Sequence, residues 1–517
     1  GDKDDVSGND MLLWFESDTA TKLAVLYLES FGNPRKFART ARRLGRTKPV
    51  LTVNVGRSAA GRRLAAARAA AAVAPPLTRQ ALLEQAGVIA AANLGELLDT
   101  AALLASQPVP QGHRVAVVSN TRGGGVLAAD ACGDAGLRVA RLAQDTRRAL
   151  RDMLPPGAEV AGPVNTTAAI APGFFRQCLE LAGADPGVDA VLALTATTAT
   201  SDLVPEVRAA RPPVPIAATV MDQVEAVRLL PGPGEDDPAV PAYAYPESAA
   251  RALGHAVRYG MWRALPPGRV PDLDGLRQDR ARELVTSLLT DAPKGGWLPL
   301  DATAELLGCY GVPLADRIAV TTQDAAVAAA ARFAAPVALK ADVPGLVRKS
   351  AGGTVLIGLH GADDVRRGFR SLRETFGDRL AAVIVQPMIT GGVEVMISVL
   401  QEQMFGPLVL FGLGGAAAYV LADRAARLAP LTDSDADELI RSNRVAPLLL
   451  GRPGTPAADL AALRDLLLRI SQLADDLPQI AELDLPVIAR PDGARAVDGQ
   501  IRIQAAEPAD TYLRRLR

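Results

Sequence analysis

The stretch Arg114-Val-Ala-Val-Val-Ser-Asn-Thr-Arg-Gly-Gly-Gly-Val-Leu-Ala-Ala-Asp130 joins a β-branched run to an alanine-rich one through three consecutive glycines. A strand, a tight turn and a helix in that order make the opening half of a βαβ unit. The helix is expected to continue to residue 135, and residues 188–194 and 215–220 are expected as later parallel strands. Such runs are apolar throughout, as suits a sheet covered on both faces. The fold class is therefore α/β, with a doubly wound domain at this point. Gly123, Gly124 and Gly125 admit two readings. Backbone N–H groups at a helix N-terminus can hold an anion, and glycines also permit a tight βα turn with no ligand at all. From these residues alone the turn is the simpler reading.

The same grammar runs upstream. Residues 23–28 and 49–55 predict strands and residues 34–44 and 94–105 helices, with an alanine-rich stretch at 59–74 and the segments 77–85 and 88–90 between them. The punctuation Gln107-Pro-Val-Pro-Gln-Gly112 sets the end of a first domain at residue 108. A second domain spans 109–268 and closes on Pro266-Pro-Gly268, and a charged segment at 272–282 predicts a linker helix within 269–290. From 291 to 517 the order of elements changes, with strands expected at 336–340, 382–386, 393–400 and 408–411. Three domains suit 517 residues, since a single core does not grow that large.

Composition narrows the function classes. Lys and Arg number 56 against 57 Asp and Glu, so no net field draws nucleic acid or an anionic membrane surface. No apolar run reaches the ~20 residues of a membrane helix, and the polar, acidic opening is unlike a signal peptide. The cytoplasm is the expected compartment. Cys132, Cys178 and Cys309 are isolated from one another and from histidine, which gives no disulfide framework or zinc site.

The third domain carries the chemistry. Lys340 closes an expected strand, glycines punctuate residues 345–353, Glu394 opens a strand, and Gly412-Leu-Gly-Gly415 follows. A lysine supplies a point charge for phosphates, and glycine backbone approaches them closely. The late carboxylates Glu482, Asp484 and Asp498 are candidates to hold Mg²⁺, which takes oxygen ligands shared with a nucleotide.

In order and spacing, Glu394-Val-Met-Ile, Phe405-Gly-Pro, Phe411-Gly-Leu-Gly-Gly415, Arg427-Leu-Ala-Pro-Leu-Thr-Asp433 and Ala481-Glu-Leu-Asp resemble the ATP-grasp half of NDP-forming acyl-CoA synthetases. Asp5-Val-Ser-Gly-Asn-Asp10, Gly56-Arg-Ser58, Gln85-Ala-Gly-Val88 and Ser119 to Asp130 resemble that family's succinyl-CoA-ligase-like domains. The resemblance implies two flavodoxin-like domains followed by an ATP-grasp domain. It also implies ATP bound at Lys340, Glu394, Gly414 and Gly415, Mg²⁺ at Glu482 and Asp498, and CoA or acetyl-CoA as a further ligand, with oligomerisation open. The family begins with a CoA-binding Rossmann domain. Because Val-Ser-Gly-Asn starts here at Val6, that domain and the first strand of the next are expected to be missing.

In such synthetases a histidine on a mobile loop carries the phosphoryl group between two sites. Its ring nitrogen can attack phosphorus, whereas a guanidinium stays protonated and cannot. Laid against the family pattern without gaps, this chain has Arg68 at that position. Other positions have drifted with it. Glu482-Leu-Asp-Leu-Pro486 lacks the asparagine that precedes the proline in the family, which weakens the Mg²⁺ site, Tyr419 replaces a common glutamate, and Arg348 replaces a loop histidine. His113, His255 and His360 are the only histidines and are expected to be structural.

Two readings follow. One is a ligase-like module that binds ligands without phosphoryl transfer. This resembles the regulatory region of Pat-type protein lysine acetyltransferases, in which such a region is covalently linked to a GNAT domain. No GNAT acetyl-CoA loop is legible here, so that domain is expected upstream. The other reading is an active ADP-forming acetyl-CoA synthetase subunit.

Overall fold

The computed structural model describes residues 6–28, 31, 33–53, 76–198, 202–333, 335–343, 354–402, 405–415, 423–452, 454 and 456–505. The chain divides into two compact units, Gly1–Pro266 and Pro267–Arg517.

The first unit opens with a three-stranded parallel sheet, in the order β1 (Ala24–Leu26), β2 (Val50–Val53), β3 (Ile89–Ala91). Its helix Pro34–Gly45 starts on Asn33, whose side chain accepts from the Lys36 N–H, with proline in the first turn, where a missing N–H costs nothing. A second sheet follows, built of β4 (Arg114–Ser119), β5 (Arg138–Val139), β6 (Val164–Asn165), β7 (Ala190–Thr195), β8 (Ile216–Val220), β9 (Val227–Leu230) and β10 (Val240–Tyr243). Its spatial order is β5-β4-β7-β8-β10-β9, with β6 paired to β4 and only β9 antiparallel. The parallel part has the 2-1-3-4-5 winding of flavodoxin-like sheets, with the switch point between β4 and β7.

Both faces of this second sheet are covered, which explains its unbroken apolar strands. Val115, Val117, Leu192 and Leu194 enter one core with the helices Leu94–Ser106, Arg122–Asp134 and Pro246–Ala264. Ala116, Val118, Val191 and Ala193 enter another with the helices Gln144–Met153 and Pro172–Gly183. Alternate residues serve opposite cores because strand side chains alternate. The first core also takes Leu51, Val53 and Ile89 of the small sheet, so the two sheets share one apolar filling.

The second unit holds two largely antiparallel sheets. The smaller is ordered β12 (Ile318–Val320), β15 (Ala382–Pro387), β13 (Val337–Asp342), β14 (Val355–Leu359), with the helices Gln323–Ala331 and Gly361–Phe376 packed on one face. The larger is ordered β11 (Gly296–Trp297), β21 (Gln500–Ile503), β19 (Ile480–Arg490), β16 (Val393–Glu402), β17 (Gly406–Leu413), β18 (Arg424–Leu428), with β20 (Gly493–Ala496) beside β19. The strand expected to stop at Lys340 continues to Asp342. Pairing with β15 up to Asp342↔Ala382 holds it extended, a tertiary effect that local composition does not carry.

The connecting helix lies later than the sequence suggests, at Gln278–Asp291, because Gly275 turns the chain at φ 77° just before it. It buries Ala281 and Val285 in the core of the large sheet. Gln278 Nε2 and the Tyr310 hydroxyl both donate to Asp476 Oδ2, each at 2.8 Å. Among the described residues no helix is long and apolar enough to cross a membrane.

Candidate functional site: a lysine–aspartate cleft between two sheets

Register decides which side chains of the second unit meet. Along β13, Val337, Leu339 and Ala341 enter the core of the small sheet, which turns Lys340 to the opposite face. Lys340 stands across from Ile384 and Ala338 from Gln386, so Lys340, Ile384 and Gln386 share that face. Along β19, Leu483, Leu485 and Val487 enter the other core, which leaves Glu482, Asp484 and Pro486 on the free side.

The Lys340 face lines a narrow cleft with Arg317, just before β12, and the turn between β20 and β21, where Val497 and Asp498 lie. Lys340 Nζ donates to the Val497 carbonyl at 2.8 Å and to Asp498 Oδ2 at 3.3 Å. The side chains of Lys340 and Asp498 are 12% and 18% exposed, so the pair is largely shielded from water. Gln386 Nε2 donates to the same Val497 carbonyl at 2.9 Å, and Asp498 Oδ1 accepts from the Gly499 N–H at 2.9 Å. The aspartate is therefore held by its own turn as well as by the lysine.

Glu394, Gly414 and Gly415 form a second group. The Gly414 N–H donates to the Glu394 carbonyl at 2.9 Å. Gly415 has φ 67°, and a Cβ there would lie 2.7 Å from Glu394 Oε2. Its left-handed backbone conformation favours glycine, and a side chain there would displace the Glu394 carboxylate.

The remaining carboxylates are engaged separately. Glu482 Oε2 accepts from Arg502 Nε at 3.4 Å, and Asp484 Oδ1 from the Ser398 hydroxyl at 2.6 Å. Among the described residues there is no cluster of three or more His, Cys, Asp or Glu side chains placed to hold a metal ion. Two carboxylates suffice for Mg²⁺ when phosphates and water supply the other ligands; the register sets Glu482 opposite Arg502 and Asp484 opposite Gln500, so Asp484 lies nearer the level of Asp498 than Glu482 does.

The sequence reading missed Arg317 and Gln386. Gln386 had a signal, since it is a polar residue, 5% exposed, ending the apolar run Ala382-Val-Ile-Val-Gln386. Arg317 had none. Its Nη2 donates to the Leu300 carbonyl at 2.9 Å, a contact set by tertiary structure.

In the first unit the glycine run is divided between tasks. The Thr121 hydroxyl caps the helix by accepting from the Gly124 N–H at 3.3 Å, and the Gly125 N–H donates to the Thr121 carbonyl at 3.1 Å. A Cβ on Gly124 would lie 2.5 Å from Leu194 Cδ2, so this glycine lets the helix sit close on β7. A Cβ on Gly123 would meet nothing within 4 Å. Two of the three glycine N–H groups are thus satisfied by the cap, and the turn accounts for the run.

All three histidines fall within the described residues. His113 immediately precedes β4. His255 lies between Glu96, which its Nε2 contacts, and Arg258, whose Nη2 is 2.9 Å from its Nδ1. His360 precedes the helix Gly361–Phe376, and its N–H donates to Asp364 Oδ2 at 2.9 Å. Arg68, Arg348, Tyr419 and the glycines of 345–353 lie outside the described residues.

Three family models match the chain. Residues 1–104 match the succinyl-CoA ligase like flavodoxin domain, residues 115–252 the ligase-CoA domain, and residues 291–503 the ATP-grasp domain. The chain is 30% identical over 507 residues to acetate–CoA ligase [ADP-forming] I of Archaeoglobus fulgidus, covering 96% of this chain and 72% of that protein. It is 27% identical over 518 residues to 4-hydroxybutyrate–CoA ligase [ADP-forming] of Nitrosopumilus maritimus, covering 97% and 73%. A solved chain of the dinucleotide forming acetyl-coenzyme A synthetase 1 of Ca. Korarchaeum cryptofilum aligns at a TM-score of 0.41 with 31% identity, over 43% of this chain and 100% of that one. With its succinyl-CoA-ligase-like flavodoxin domains, its ATP-grasp domain and a relative of this identity matched along nearly its whole length, the chain belongs to the ADP-forming acyl-CoA ligase family.

Proposed function

We propose that the chain binds ATP in the Lys340 cleft but does not pass a phosphoryl group through histidine, and that it serves as the ligand-sensing part of a protein lysine acetyltransferase. In this reading Lys340 and Arg317 meet the phosphates, and Glu394 with Gly414 and Gly415 borders the nucleotide. Glu482 and Asp498 share a weakly held Mg²⁺ with it, and CoA or acetyl-CoA is the second ligand. A GNAT domain covalently linked to this region would be the effector.

One observation carries the proposal. Lys340 and Asp498 stand 3.3 Å apart, and the family resemblance puts Arg68 where such ligases carry phosphate on histidine. The chain's three histidines do not replace that residue. His255 has both ring nitrogens engaged, and His113 and His360 flank regular elements instead of occupying a glycine-rich loop. A guanidinium, protonated at neutral pH, is a far poorer nucleophile toward phosphorus than an imidazole nitrogen.

Calorimetric titration with ATP and Mg²⁺, and separately with acetyl-CoA, tests the binding half. Saturable ATP binding that weakens at least ~10-fold in Lys340→Gln is expected, because removing a cation from a shielded phosphate contact costs more than 1.4 kcal/mol. No saturation with either ligand would refute it.

A further inference from the structure

The first unit has a second cleft, of about 300 Å³, at the edge of its large sheet where β4 and β5 begin. The glycine run and the switch-point crevice lie at the opposite edge, where the strands end. His113, Arg138, Leu137, Val257, Arg258 and Met261 line this cleft, and no carboxylate does. Its lining combines cationic side chains with aliphatic and thioether ones.

The two arginines differ in how they are held. Arg138 is exposed at the start of β5, and its side chain has no hydrogen bond or ion pair among the described residues. Arg258 is fixed in place. Its Nη1 donates to the Ala135 carbonyl at 3.4 Å and its Nη2 to His255 Nδ1 at 2.9 Å. Arginine only donates, so Nδ1 accepts and the imidazole proton sits on Nε2, where it meets the Glu96 carboxylate. Burial holds His255 below its ordinary value, which keeps this neutral tautomer in place. The chain Glu96–His255–Arg258 thus sets the guanidinium before any ligand arrives, and a preorganised fork loses little entropy on binding. Asp189, which also faces His113, is occupied by Arg114 at 2.8 Å.

A guanidinium fork matches a planar carboxylate, while Leu137, Val257 and the Met261 thioether suit a hydrocarbon body. The volume sits at the lower end of ligand-site sizes, about twice that of a cavity that takes benzene. We propose that this cleft binds a small amphipathic organic acid, with its carboxylate between Arg138 and Arg258 and its aryl or short alkyl body on Leu137, Val257 and Met261. The site is separate from the nucleotide cleft and does not depend on the function proposed above.

Phenylacetate titrated against the full chain, followed by saturation-transfer NMR, tests it, with acetate and inorganic phosphate as comparators. Saturable phenylacetate binding is expected, weakened by about 10-fold or more in Arg138→Gln/Arg258→Gln, as for loss of charge-assisted bonds. Acetate and phosphate are expected to bind more weakly than phenylacetate. Arg138→Gln alone guards against misfolding, since that side chain is exposed and makes no contact to lose, and it too should weaken binding. Undiminished binding in the double variant, phosphate or acetate binding as tight as phenylacetate, or no saturable binding to the wild-type chain would each overturn the proposal.

Discussion

Lys340 is committed before any nucleotide arrives, since its ammonium already holds Asp498 and the Val497 carbonyl. A phosphate must compete with that pair, and a Mg²⁺ ion drawn to Asp498 would release the lysine toward the phosphates. Asp498→Asn therefore separates two effects. ATP without metal should bind at least as tightly as to the wild-type chain, whereas the gain from added Mg²⁺ should shrink several-fold, as fluorescence titration with and without chelator can measure. The cysteines make a second residue-scale prediction. Burial pushes the Cys132 and Cys178 thiols up to about 12, and all three cysteines are buried. Thiol reagents should label none of them in the native chain at pH 8 and all three in denaturant. The sign of the pH dependence follows: the folded state keeps protons that unfolded thiols lose. This contribution to stability is complete below the ordinary thiol value of ~8.5 and is lost as pH rises from there through about 12. The unfolding midpoint in urea should fall over that window.

At the scale of elements, close packing explains several glycines better than ligand binding does. Gly87 has φ 68°, and a Cβ on it would lie 2.3 Å from the Trp262 ring, which lies at the end of the helix Pro246–Ala264. Arg46 stacks over that ring at 4.3 Å and donates to the Arg263 carbonyl at 3.0 Å, tying the small sheet's helix to the larger domain. Gly87→Ala should cost about 1–3 kcal/mol by overpacking, on top of backbone strain, read as a loss of unfolding free energy in denaturant. Tyr310→Phe should cost about 1–2 kcal/mol by leaving Asp476 short of a buried donor. Much of this level was legible in the sequence. Continuous apolar runs located the strands near 114–119, 188–194 and 215–220 in the first unit and near 336–340, 382–386, 393–400 and 408–411 in the second, because the faces they bury are local facts, whereas β19, interrupted by charged residues and Pro486, was not read. What could not be read is which distant turn meets which strand. Lys340 and Asp498 were both visible as candidates, but their contact depends on a register fixed 158 positions apart. Pro486 is similar. It reads as a strand breaker, yet β19 runs through it, at the point where the neighbouring strand changes from β21 to β20.

For the whole molecule, the Lys340 cleft lies in one compact unit. Among the described residues, the cleft lining and the hydrogen-bond partners given for Lys340 and Gln386 lie within Pro267–Arg517, whose two cores hold both sheets. Residues 267–517 expressed alone should bind ATP within about threefold of the full chain, a difference below ~1 kcal/mol. The central claim, that this member of the ligase family binds nucleotide without carrying phosphate on histidine, is tested most directly by incubating the full chain with γ-³²P-ATP, Mg²⁺ and CoA and following label on the protein. The account predicts saturable ATP binding with no acid-labile, base-stable label. Stoichiometric label with that stability would contradict it and make the chain an active ADP-forming ligase.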